Sequence, residues 1–335
     1  MSVPVLTFFN NKGGVGKTSL VYHLAWMFSN EGKRILACDL DPQANLTASF
    51  VEEDSLEAIW SQDTQKENNT IYQCVSPLAE VGDLKNPHVR EISQSLAVVC
   101  GDLSLSGFEE ILSGEWTKAL DTVNLYRPFR ILTAFWQVMQ SGAKMIDADM
   151  IMVDVGPNLG AINRSALIAT DYVVIPVAAD MFSLQGLRNL APTLARWRKE
   201  WSKRREGWGE PGFPLPDGGM KPIGYIVQQH GERQGRPVKA YGKWAERIPR
   251  EYARTAGQNQ LDSIPISPEE DINCLGTVRH FRSLVPMAQE ARKPIFHLKP
   301  ADGAIGSHAA AVQKAYQDFR DLANRIVRLI EGSEK

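Results

Sequence analysis

VPVLTFFNNKGGVGKTS occupies residues 3–19: an apolar run, a cluster of glycines, then a lysine and two hydroxyl residues. Residues 3–9 have no helical period and stop at Asn10-Asn11, which predicts a buried parallel strand. From residue 18 to 29, Leu20, Val21, Leu24, Ala25 and Phe28 recur at helical spacing, and Glu31-Gly32 ends that helix. Residues 34–40 form a second apolar strand that runs into acid. Strand, glycine loop, helix and strand in this order make a βαβ unit, with a right-handed crossover.

The same alternation returns downstream. Residues 149–155 (DMIMVDV) read as a strand, 161–169 as a short helix and 172–178 (YVVIPVA) as another strand. A long helix over 183–201 and a strand over 223–228 follow. Between residues 308 and 330, Val312, Ala315, Tyr316, Phe319, Leu322, Ala323, Ile326 and Ile330 make one apolar stripe. The pattern predicts a doubly wound α/β fold: a mostly parallel sheet flanked by helices, in a single domain over 1–335. Residues 55–145 fit least well. They hold a polar run at 61–70, a possible strand at 96–100 and helical patterns near 108–120 and 130–139, an α-rich excursion from the sheet. Residues 207–219 (GWGEPGFPLPDGG) read as loop from their Gly/Pro content.

The glycine loop carries the chemistry. A phosphate chain is a dense negative charge, and Gly13, Gly14 and Gly16 let backbone N–H groups approach it with no Cβ in the way. The helix that opens near Lys17 adds its positive end. Lys17 is long enough for the β- and γ-phosphates, and Thr18 offers a hydroxyl to Mg²⁺. The general GxxxxGK[ST] pattern is met with one departure, Asn11 at the first glycine position.

Lys12 narrows the reading. KGGVGKTS after an N-terminal strand resembles the deviant Walker A motif of the ParA/MinD group of P-loop ATPases. CDLDPQAN at 38–45 is similar to that group's second acidic motif, and MVDVGPNLG at 152–160 to its Walker B segment. IPVAADMFSLQG at 175–186 and AQEARKPIF at 288–296 extend the likeness over nearly the whole chain, closest to the ParA partition branch. Gly156 and Asn158 depart from the group's usual proline and serine.

The resemblance implies roles. The nucleotide-binding residues are Lys12, Gly13, Gly14, Val15, Gly16, Lys17, Thr18 and Ser19, with ATP and Mg²⁺ as cofactors. Lys12 is the signature lysine that reaches the partner's phosphates across a dimer, and Asp41 orients the attacking water. Thr18, Asp39 and Asp154 stand on the Mg²⁺ side. The base-contacting backbone falls around Gln228 and Pro265. The expected partners are a second copy in the presence of ATP, nonspecific DNA and a ParB-like or other cargo adaptor, with no membrane. The expected location is cytoplasmic, on the nucleoid when ATP is bound.

The helix after Gly186 carries Arg188, Arg196, Arg198, Lys199, Lys203, Arg204 and Arg205, interleaved with Trp197 and Trp201. The family comparison points to Arg198, and to Arg233 and Arg236 in a later loop, as DNA contacts. A solvated helix face is the plain alternative. With 37 Lys+Arg against 39 Asp+Glu, net −2, any DNA affinity must come from such a local patch.

Other classes stay open. A MinD-like membrane regulator needs a terminal amphipathic segment, whereas EGSEK follows Ile330. A metabolic ATP-dependent enzyme on the same scaffold could use the 55–145 excursion as its substrate pocket. Cys38, Cys74, Cys100 and Cys274 show no C-x-x-C spacing and read as buried free thiols. No run approaches a membrane span, and the opening residues are not expected to be a signal peptide.

Overall fold

The computed structural model describes residues 2–60, 68–209, 211–229, 239–256, 264–279, 281 and 283–332. Its centre is an eight-stranded sheet with strands in the order β3-β4-β2-β5-β1-β6-β7-β8. These are β1 (Val5–Phe8), β2 (Ile35–Asp39), β3 (Arg90–Ser93), β4 (Leu96–Val99), β5 (Met150–Asp154), β6 (Tyr172–Ala178), β7 (Lys221–Gln229) and β8 (Cys274–Arg279). Every pairing is parallel except β3 with β4.

Both faces of the sheet are covered. Val5 points into one core with Leu36, Val153 and Ile175, while Leu6 and Phe8 point into the other with Ala37, Met152 and Val174. That is the period-two alternation of a strand buried on both sides, which explains its continuous apolar sequence. Helix Lys17–Asn30 and the terminal helix Ser307–Glu331 pack on the second face through Leu20, Leu24, Phe28, Phe319, Leu322 and Ile326. On the first face lie Ala134–Met145, Ala161–Ile168 and the long helix Met181–Trp208.

Two readings are corrected. The long helix runs 28 residues to Trp208 despite Pro192, so the loop begins later than its glycines suggested. In the 55–145 region the expected strand at 96–100 is present as residues 96–99 pairing in parallel with β2, but a further strand that the sequence did not suggest, β3, pairs antiparallel with it as the sheet's edge. At the other edge Arg325 of the terminal helix donates to the backbone carbonyls of Cys274 (3.0 Å) and Leu275 (3.3 Å) on β8. All four cysteines are buried and free. Among the described residues no helix is long and apolar enough to cross a membrane.

The topology locates the crevice. From β1 the chain crosses to β2 on one side, and from β5 it crosses to β6 on the other. Connections diverge at the carboxyl ends of β1 and β5, where open α/β sheets bind ligands.

Candidate nucleotide site

The loop after β1 turns on Gly14 (φ 71°) and Gly16 (φ 70°), left-handed conformations that a side chain would strain. Val15 is buried at the apex and anchors it. Gly16 also lies under Gln228: a Cβ there would sit 3.1 Å from the Gln228 amide nitrogen. Helix Lys17–Asn30 starts directly from this turn, so its first N–H groups face the same space. Lys17 is 7% exposed, and its Nζ donates to the carbonyls of Asn10 (3.1 Å) and Lys12 (3.2 Å). Burial lowers its pKa, opposed by the charges of Asp154 and Asp41.

The acids meet it from neighbouring strands. Asp39 ends β2 and Asp154 ends β5, and the two are direct register partners. Both are fully buried. Asp39 accepts from the Thr47 amide (2.8 Å) and hydroxyl (2.7 Å), and burial still pushes its carboxyl up to about 6. Among the described residues neither carboxylate oxygen of Asp154 has a close hydrogen-bond partner, with the Thr18 hydroxyl the nearest donor to act on it. Burial, then the charge of Asp39, raise its pKa well above the usual range, against the pull of Thr18 and Lys17. Asp41 sits just beyond, accepting from the Gln43 amide at 3.0 Å.

An unpartnered buried carboxylate costs several kcal/mol unless a cation completes it. Asp154 beside Thr18, with Asp39 behind, therefore fits a magnesium ion. Among the described residues no three His, Cys, Asp or Glu side chains form a closed metal cage. Magnesium takes one or two carboxylates and keeps its waters or phosphates, a donor set that Thr18 and Asp154 could supply.

Lys12 points elsewhere. Its ammonium bonds Asp180 and Ser183 (3.3 Å) of the same chain, at the start of the long helix. Asp180 also caps that helix, accepting from the Ser183 amide at 2.9 Å. Burial works against the Asp180 charge, but Lys12 and these amides outweigh it and hold the carboxyl below its usual range.

A cleft of about 820 Å³ runs from the glycine loop past Asp41, Gln43 and Asn45 to Tyr22, Val285, Gln289, Arg292 and Lys293. Its far wall is thus helix Leu284–Ala291 and the turn after it. Pro265 is not among its lining residues. Pro265 precedes β8, whereas the wall is built from the chain that follows that strand.

The basic helix divides sharply. Arg204 is buried: it stacks on Trp116 (3.7 Å to the ring centroid) and donates to that residue's carbonyl. Trp197 and Trp201 are core residues. Arg188 pairs with Glu251 and Arg205 with Asp217. Arg198 is half-buried, its Nε unpartnered and its pKa lowered by burial, so it is a poorer surface contact than its position suggested. On this helix Arg196, Lys199 and Lys203 are exposed, as is Arg188 beside Glu251, and Arg247, Arg250 and Arg254 lie near Glu251 in sequence. Arg233 and Arg236 lie outside the described residues.

Three residues that sequence reasoning missed hold the site together. Gly186 packs against the glycine loop: a Cβ there would meet Asn11 Oδ1 at 2.7 Å and Asn10 Oδ1 at 2.8 Å. A lone glycine inside a helical pattern was its signal. Asp180 before a helical period was a legible N-cap. Thr47 had none, since its partner Asp39 is set only by the fold.

Comparison with known proteins agrees. Residues 3–205, more than half the chain, match the AAA domain family. The chain is 30% identical over 190 residues to the sporulation initiation inhibitor protein Soj of Bacillus subtilis, covering 57% of this chain and 64% of that one. It is 29% identical over 202 residues to the chromosome partitioning protein ParA of Caulobacter vibrioides, covering 60% and 66%. The matches therefore span just under two thirds of these relatives' length. A Borrelia burgdorferi protein named for plasmid partition, solved with AMPPNP, superposes with a TM-score of 0.60 at 18% identity, covering 97% of this chain and 99% of that one. The chain belongs to the AAA domain family, as a P-loop ATPase of the ParA/MinD type.

Proposed function

We propose that the chain hydrolyses MgATP slowly, dimerises on ATP, binds DNA without sequence preference, and positions a plasmid, chromosome or other cargo through an adaptor that stimulates hydrolysis. The observation that carries this reading is the division of labour between two lysines on one glycine loop. Lys17 is turned inward among the acids, while Lys12 is turned outward and held in cis by Asp180. The names of its relatives, partition and sporulation control, support the same class. Its setting would be the cytoplasm, on the nucleoid when ATP-bound.

The residues divide the work. Backbone amides of residues 13–19 and Lys17 hold the phosphates; Thr18 and Asp154, with Asp39 behind, hold magnesium; Asp41 orients a water. Bound magnesium neutralises phosphate charge, which in phosphoryl transfer counts for more than covalent chemistry. Lys12 exchanges Asp180 for a phosphate of the second copy. Light scattering after size exclusion tests this scheme. Lys17→Ala should lose ATP binding, Lys12→Ala should bind ATP yet stay monomeric, and Asp41→Ala should accumulate dimer. Equal monomer fractions in the last two would refute it.

A further inference from the structure

The loop 156–160 joins Asp154 to helix Ala161–Ile168 and runs beneath Asp41. A Cβ on Gly156 would stand 3.3 Å from Asp41 Oδ1, so this backbone is the floor under that carboxylate. Glycine gives the floor no stiffness of its own. It is held by side chains instead. Asn163 Nδ2 donates to the carbonyls of Gly156 (2.8 Å) and Asn158 (2.7 Å), and Asn158 Oδ1 accepts from the Gly160 amide at 2.9 Å. The loop is thereby tied to the first turn of the following helix, and its position depends on what holds that turn.

Glu109 holds it. Its carboxylate accepts from the amides of both Ala161 and Ile162, the latter at 2.8 Å. A Cβ on Gly160 would press on Glu109 Oε1, so the carboxylate lies tight against this backbone. A carboxylate on exposed N-terminal amides is a charge-assisted bond aligned with the helix dipole. Glu109 is itself fixed, because its helix Glu109–Lys118 is rooted in the core by Leu112 and Trp116, with Phe108 just before it. The 55–145 segment also touches the site at a second point, where the Gly101 amide donates to Thr47 Oγ1 (2.7 Å), the partner of Asp39.

We propose that Glu109 is a positioning residue for ATP hydrolysis, setting the 156–160 loop against Asp41 from the far side of the site. The inference rests on the ATPase reading above and adds to it a role for the 55–145 segment, which transmits its position to the hydrolytic acid. It touches neither phosphate nor metal, so its loss should leave nucleotide binding alone and slow the turnover step.

The test compares wild type, Glu109→Ala and Glu109→Gln by steady-state MgATP hydrolysis, fluorescent ADP binding and amide exchange. Glu109→Ala should lose about tenfold or more in kcat, with KM and ADP affinity within about twofold. Glu109→Gln, which keeps one acceptor oxygen, should recover much of that loss. Exchange at the Ala161 and Ile162 amides should quicken in Glu109→Ala alone. Unchanged kcat in a folded Glu109→Ala, equal losses in affinity and turnover, or unfolding of both variants would overturn the inference. A wild type that binds MgATP without hydrolysing it would instead sink the ATPase reading, leaving the exchange result to report on the Glu109 tie.

Discussion

Asp154 is under electrostatic stress, fully buried with neither oxygen closely partnered among the described residues. Its folded-state pKa lies well above the unfolded value, and Asp39 beside it rises to about 6. A raised carboxyl pKa means the fold favours the protonated form. The associated stability is present below the unfolded pKa of about 3.8 and is lost as pH rises through the folded pKa. Nucleotide-free Asp154→Asn should therefore melt a few degrees above wild type at pH 8, the gap closing as pH falls toward about 4. Adding MgATP should raise the wild-type melting point more than that of the variant. Differential scanning fluorimetry across pH settles it, and a variant less stable at every pH would contradict the stressed-acid account.

Among the elements, the long helix Met181–Trp208 does most to place the glycine loop. Asp180 at its start holds Lys12, and Gly186 one turn in lets Asn10 and Asn11 lie against it. Alanine for glycine inside a helix ordinarily stabilises by about 1 kcal/mol. Here the sign should reverse. Asn10 is fully buried, donates to the Pro176 carbonyl (2.7 Å) and accepts from the Lys12 amide, so it cannot move aside. Gly186→Ala should cost about 1–3 kcal/mol as overpacking and weaken ATP binding, read by thermal unfolding and nucleotide titration. A more stable variant with wild-type affinity would show that helix and loop are not coupled there. What sequence could reveal follows the same divide. β1, β6 and the glycine loop were legible because period and backbone demands are local, whereas Asp39 and Asp154 were singled out through the family resemblance. β3 and the antiparallel edge were not legible: Arg90–Ser93 is a polar tetrapeptide without period, and its pairing depends on β4.

For the whole molecule, net charge −2 means that any DNA binding would fall to one face. Arg196, Lys199 and Lys203 share a side of the helix at spacings of three and four and are exposed or half-exposed, unlike Arg204 beneath them. If ATP pairs two copies, these faces add. Duplex affinity should then rise with ATP and fall steeply with salt. Lys199→Glu should weaken binding to unrelated duplexes alike, lowering the slope of log K against log [salt] by about 0.9 per lost phosphate contact. Fluorescence anisotropy over a salt series checks this. Affinity indifferent to ATP or to the reversal would reduce the helix to a solvated face.

The Arg325 bonds to the carbonyls of Cys274 and Leu275 bear on how such molecules coexist. A sheet's outer strand is a template on which another chain can lay itself, and crowding makes that encounter frequent. Here one margin is a short antiparallel strand with an irregular register, and the other has carbonyls already engaged by a side chain. Two copies that collide at either margin therefore find little open backbone on which to extend a shared sheet.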